Sequence, residues 1–124
     1  MLVKEGETRR QSTHVADILD IAEQQFFLFM KRRVTIEHEP KTFSDTDSDK
    51  STIPDFRITK KNGEIVYVEI TTKARGTGKD PKEKQRKIME KTGRRYKVLY
   101  RESLESIQKR HPGVQFFNGK KIRK

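Results

Sequence analysis

Glu69 sits inside an otherwise apolar run, Ile65 to Ile70, and no other position constrains the chain as much. The run follows Asn62-Gly63, a pair that favours a tight hairpin, and a second β-type run, Phe56 to Thr59, precedes that pair. Asp55 opens the first run directly after Pro54. A carboxylate in an apolar strand costs several kcal/mol of desolvation unless a cation or hydrogen bonds compensate it. One hairpin that gathers two such acids therefore predicts a cation site. Alternation along the second strand puts Tyr67, Glu69, Thr71 and Lys73 on one face and Val66, Val68 and Ile70 on the other.

Upstream, Val15, Ile18, Leu19, Ala22, Phe26, Phe29 and Met30 recur at helical spacing after a capping Ser12 or Thr13. Glu23 lies at the edge of this stripe, a third acid that a helix can aim at the hairpin. Val34 to Glu37 reads as a short strand, and residues 41–52 read as a surface loop. Asp45, Asp47 and Asp49 imitate the start of a calcium loop, but Lys50 and Phe56 occupy positions where Gly and Glu are required. Asp80-Pro81-Lys82-Glu83 predicts a helix start and Gly93 its end. Gln85 shares the narrow apolar face of that helix with Ile88 and Met89. Tyr96 to Tyr100 predicts a strand, and a last helix carries Leu104 and Ile107. Val114 to Phe117 suggests one more strand. The order helix, three strands, helix, strand, helix implies an α/β fold with a mixed central sheet flanked by helices. At 124 residues one domain, 1–124, is expected, with 1–11 and 119–124 flexible.

Charge points to the partner. The net charge is +11, and residues 73–101 hold twelve Lys and Arg against three Asp and Glu, while residues 13–59 are mildly acidic. Such a concentrated positive field favours a polyanion, most commonly nucleic acid. Arg75, Lys79, Lys82, Lys84, Arg86, Lys87, Arg94 and Arg95 are the expected contacts to its backbone. With no cysteine, disulfides, thiolate metal sites and cysteine nucleophiles are excluded. No apolar run approaches the ~20 residues that cross a bilayer. No signal-peptide pattern opens the chain, so a soluble, intracellular (cytoplasmic) protein without membrane contact is the expectation. His14, His38 and His111 show no ligand spacing.

Pro54-Asp55 followed after a gap by Glu69-Ile70-Thr71, on a hairpin preceded by a glutamate-bearing helix and by Glu39-Pro40, resembles the PD-(D/E)XK nuclease superfamily. Its small transposase-associated, restriction-type and Holliday-junction-resolvase-like members are the most similar. The resemblance covers roughly residues 12–108 and implies an αβββαβ restriction-endonuclease-like core. It implies a Mg²⁺-dependent (or Mn²⁺-dependent) endodeoxyribonuclease that hydrolyses DNA phosphodiester bonds. In that reading Asp55, Glu69 and the Ile70 backbone carbonyl hold the metal, with Glu23 completing the shell through water. Gln85 positions the nucleophile or a phosphate. The superfamily's lysine falls two residues after the second acid, where this chain has Thr71. Lys73, further along the strand, and Lys84, from the next helix, are the two candidates for it. One site per chain implies a homodimer for duplex cleavage. A catalytically inactive nuclease-fold module that binds DNA or RNA is the alternative, and a basic RNA-associated protein is a third.

Overall fold

A computed structural model of the chain describes residues 3–7, 15–76 and 78–117. In chain order the elements are β1 (Val3–Glu5), a 3-10 turn (Val15–Asp17), α1 (Ile21–Met30), β2 (Thr35–His38), β3 (Phe43–Asp45), β4 (Lys50–Thr52), β5 (Phe56–Thr59), β6 (Ile65–Ile70), α2 (Glu83–Thr92), β7 (Tyr96–Leu99) and α3 (Arg101–Arg110). Among the described residues the fold is mixed α/β, with two sheets and three helices.

The larger sheet has the order β2-β5-β6-β7. The first three strands form an antiparallel meander in which Thr59 faces Ile65 and Phe56 faces Val68. The Asn62-Gly63 hairpin forms as expected. Gly63 takes φ +90°, the Asn62 side chain accepts from the Glu64 N–H at 2.9 Å, and the Lys60 N–H donates to the Glu64 carbonyl at 2.8 Å. β7 returns parallel to β6, with Glu69 beside Val98 and Ile70 beside Leu99. A parallel return needs a crossover, and α2 supplies it.

The two faces of this sheet bury different partners. Phe56, Ile58, Val68, Ile70 and Leu99 pack with Ile18, Ala22, Phe26, Phe27, Leu104 and Phe116. Phe26 and Phe27 meet Phe56 with ring centroids 5.3 and 6.5 Å apart. On the opposite face Tyr67 packs with Phe43, Ile88 and Met89, and Phe43 meets Tyr67 edge-on at 5.2 Å.

That second face rests on a small sheet, β1-β3-β4. The sequence suggests a loop over 41–52 and a flexible arm over 1–11; β3 and β4 instead pair with each other, and within the arm Val3–Glu5 pairs with β3. Their polar composition hides them, because only Phe43 among β3 and β4 supplies a large buried apolar side chain. Asp45, the first acid of the rejected calcium loop, is buried and fully engaged. It accepts from the Asp47 N–H (3.0 Å), Ser48 Oγ (2.9 Å) and Lys91 Nζ (2.7 Å). The Lys91 bond fastens the small sheet to α2, and the donors together hold the Asp45 carboxyl down at about 2.

Helix boundaries depart from expectation at the N-terminal ends. α1 begins at Ile21, capped by Asp20, whose carboxylate accepts from the Glu23 N–H at 2.9 Å. The proposed caps Ser12 and Thr13 lie outside the described residues. α2 begins at Glu83 with Lys82 as its cap residue and ends at Gly93, φ +72°. Val114–Phe117 is not a strand; the chain there is irregular and buries Phe116. No helix among the described residues is long and apolar enough to cross a membrane.

Candidate active site

The hairpin carries Asp55 and Glu69 to the same end of adjacent strands. Asp55 lies just before β5, after the buried Pro54, and its Oδ2 accepts from the Ile70 N–H at 2.8 Å. Extending the β5–β6 register by two residues sets Ile70 across from Pro54. Proline has no N–H, so this position offers the Ile70 carbonyl no ladder donor. Glu69 stands across from Asp55 in that register, on the sheet face opposite the Ile70 side chain, and is 1% exposed. The Asp55 charge bears directly on Glu69.

A lysine bridges them, and it is Lys82. Its Nζ stands 3.3 Å from Glu69 Oε1 and 3.8 Å from Asp55 Oδ2. The geometry of a crossover explains the choice. After β6 the chain turns back, so the first residues of α2 lie over the carboxyl end of the strand that bears Glu69. A network behind the lysine fixes the turn. Asp80 accepts from the Lys82 N–H (3.0 Å) and from Tyr100 Oη (3.1 Å), Arg86 pairs with Asp80, and Arg86 donates to Tyr100 Oη at 2.6 Å. Lys73 and Lys84, the two residues nominated for this role, are both exposed. Lys73 is held through its backbone, its N–H on Thr71 Oγ1 (3.2 Å) and its carbonyl on the Arg101 N–H (3.0 Å). Lys84 lines a concavity with Lys50, Lys79 and Gln85.

Glu23 arrives from the first turn of α1, but its carboxylate is turned to a partner that spacing alone did not single out. His38 Nε2, at the end of β2, is 3.1 Å from Glu23 Oε1, and the His38 ring packs against Phe56 with centroids 5.3 Å apart. The Glu23 hydrogen bond holds the imidazole above its ordinary range against the opposing effect of burial, with Glu39 and Asp55 adding to the rise. The Glu23 charge in turn acts on both Asp55 and Lys82. Glu23, His38, Asp55, Glu69 and Lys82 thus form one electrostatic cluster. Arg57 is not part of it, being bound through two bonds of 2.7 and 2.8 Å to Glu37.

The acids of the cluster are poorly satisfied. Burial raises the Asp55 carboxyl, Lys82 opposes the rise and Glu23 adds to it. Burial, then the Asp55 charge, pushes Glu69 up to about 8. For Lys82 burial works downward, but Asp55 and Glu69 outweigh it and the ammonium is stabilised. Among the described residues Glu69 Oε2 has no hydrogen-bond partner, and neither do the buried Gln85 Oε1 and Tyr96 Oη. Burial, followed by the Glu69 charge, keeps Tyr96 in its neutral form.

A hard divalent cation fits this donor set. Mg²⁺ is usually held by one or two carboxylates and keeps several waters. Asp55, the orphaned Glu69 Oε2 and the Ile70 carbonyl are donors of that type. Among the described residues no group of three or more His, Asp or Glu side chains gathers as a protein-only cage. Asp55 and Glu69 are a pair, with Glu23 directed to His38.

The basic residues expected to track a phosphate backbone divide into two kinds. Arg86, Lys87, Arg94 and Arg95 are each paired with an acid, respectively Asp80, Glu83, Glu5 and Glu64. Arg75 stacks its guanidinium 4.4 Å from the Tyr100 ring centre, and Lys79 and Lys84 are exposed. Lys82 belongs to the carboxylate site. No protein-family model, curated protein or solved structure matches the chain.

Proposed function

We propose that the protein is a metal-dependent endonuclease that hydrolyses DNA phosphodiester bonds, built on a restriction-endonuclease-like αβββαβ core. The observation that carries this reading is the buried Glu69, whose Oε2 lacks a partner while its Oε1 meets Lys82 beside Asp55. An acid placed this way weakens the protein unless the site has a use for it. The order α1, β2, β5, β6, α2, β7 supports the core assignment.

Asp55, Glu69 and the Ile70 carbonyl would hold Mg²⁺ or Mn²⁺. Bound there, the ion would acidify a water and polarise the phosphate oxygens. Lys82 keeps a positive charge beside the carboxylates, where it neutralises charge that develops on the phosphoryl oxygens and orients the attacking water. Glu23 fixes His38 as a hydrogen-bond donor at the rim. Gln85, whose buried amide oxygen is unpartnered among the described residues, would order a water or a phosphate. Tyr100, Arg86 and Asp80 hold the turn that presents Lys82. One such site cuts one strand, so duplex cleavage takes two copies of the chain.

The test is cleavage of supercoiled, linear, branched and single-stranded DNA with Mg²⁺ or Mn²⁺. Asp55→Ala and Glu69→Ala should each abolish product. Activity that survives both substitutions would discard the assignment. Tight binding with no cleavage of any substrate would establish an inactive binding module instead.

A further inference from the structure

A group of exposed cations lies at the other end of the sheet from Asp55 and Glu69. Two concavities there, each of about 440 Å³, share Arg32 and Arg33 in their walls. Lys31, Lys60 and Lys61 complete the basic lining of one and Arg110 that of the other, and among the described residues no aspartate or glutamate lines either. All six are exposed. They converge because α1 ends at Met30, α3 ends at Arg110, and the β5–β6 turn lies between β5 and Ile65 at that same end.

Two independent paths give the separation from the carboxylates. From Ile65 to Glu69 is four strand steps, about 13 Å. From Glu23 to Met30, where α1 ends, is seven helical steps, about 10 Å, and Arg32 lies beyond it. The surface is therefore distinct from the carboxylate site.

The pairing pattern separates this face from part of the segment with the highest charge density, in which Lys79 and Lys84 also stay exposed beside Asp80 and Glu83. Arg86, Lys87, Arg94 and Arg95 are neutralised by acids. Among the described residues no ion pair engages Lys31, Arg32, Arg33, Lys61 or Arg110, while Lys60 meets Glu64 at 3.3 Å. Helix C-termini attract cations on their own account, and Arg33 serves that purpose. Its Nη1 donates to the Phe29 carbonyl at 2.6 Å and its guanidinium lies 4.0 Å from the Phe29 ring centre. The others exceed what two helix ends require.

We infer that Lys31, Arg32, Lys60, Lys61 and Arg110 form a second nucleic-acid-binding surface that grips the phosphate backbone remote from the carboxylate site. The inference rests on the proposed function only for the nature of the polyanion. Five cations over two shallow concavities match a row of phosphates, which requires charge rather than shaped base contacts.

The test is anisotropy of a labelled DNA duplex titrated with protein in EDTA, where cleavage is suppressed, between 50 and 200 mM salt. The triple variant Arg32→Ala, Lys61→Ala, Arg110→Ala is compared with Lys87→Ala, Arg94→Ala, Arg95→Ala, which removes the same charge from paired positions. With ~0.9 of slope per phosphate contact, the first triple should lose about 2 to 3 from the slope of log K against log salt, and the second less than about 1. Circular dichroism melting checks that both fold. Lys61→Glu alone, in an exposed turn, should also lower the slope. Equal losses in the two triples, or an unchanged slope in the first, would overturn the inference. So would a first triple that loses binding to phosphatidylserine vesicles but not to DNA. The predicted slopes in a chain that cuts no DNA would uphold this surface while discarding the nuclease reading.

Discussion

Asp45 and Glu69 are both buried carboxylates, 4% and 1% exposed, and the protein treats them in opposite ways. Asp45 receives a lysine, a hydroxyl and a backbone N–H, and sits at about 2. Glu69 receives one lysine on one oxygen, faces a second carboxyl, and is pushed up to about 8. The first is what a fold does with an acid it uses as a fastener, here between the small sheet and α2. The second is an acid left short of donors on the most central part of the larger sheet. Burial alone therefore does not mark a functional acid; burial with an unmet oxygen and a like charge beside it does.

The largest break in this comparison is expected from the isosteric amides. Glu69→Gln should lower cleavage by at least about 10²-fold, since it removes a metal ligand, while thermal stability at pH 8 holds or rises. Asp45→Asn should lower the melting temperature with little change in cleavage per folded molecule. Parallel melting and cleavage assays read both. The reverse pattern would exchange the roles assigned to the two acids.

Lys82→Ala follows. Cleavage should fall by about 10²-fold, the scale of losing one charge stabiliser, while Lys73→Ala and Lys84→Ala change it less than about threefold. A larger loss at Lys73 or Lys84 than at Lys82 would return the role to those positions.

The two acids also predict opposite pH responses. Glu69 has a folded-state pKa above its ordinary 4.5, so its contribution to stability is complete below that value. It is lost as pH rises through about 8. Asp45 is depressed from 3.8, so its contribution is present above that value and is lost as pH falls through about 2. Melting temperature in EDTA should therefore decline between about pH 5 and 8. The increment produced by Mg²⁺ should grow over the same interval, because the ion displaces the Glu69 proton. A Mg²⁺ increment that is independent of pH would contradict the site.

The smallest effect belongs to Tyr100→Phe. Losing the hydroxyl between Arg86 and Asp80 should loosen the turn that presents Lys82 and lower kcat by several-fold with KM unchanged. Steady-state kinetics separates this from a general loss of folded protein.

Much of this site was legible in the sequence, and the remainder was hidden for specific reasons. Asp55 and Glu69 stood out because a hairpin signal and strand alternation are local. Lys82 did not, because Asp80-Pro81-Lys82-Glu83 reads as a helix cap. Only the parallel return of β7 places that cap over the end of β6. His38 lacks any spacing to another histidine, and its partner Glu23 is fifteen residues away on another element. β3 and β4 were missed because three-residue strands with one large apolar side chain leave no periodicity to read. The pairing of Arg94 with Glu5, 89 residues apart, shows why charge density along the chain misjudged which cations are available.

The most direct measurement is a carboxyl ¹³C NMR titration of Glu69, assigned by comparison with Glu69→Gln, with and without saturating Mg²⁺. Glu69 should titrate near pH 8 without metal and fall to or below the ordinary carboxylate range with it. Titration near 4.5 in both conditions would contradict the claim that this buried pair is a cation site.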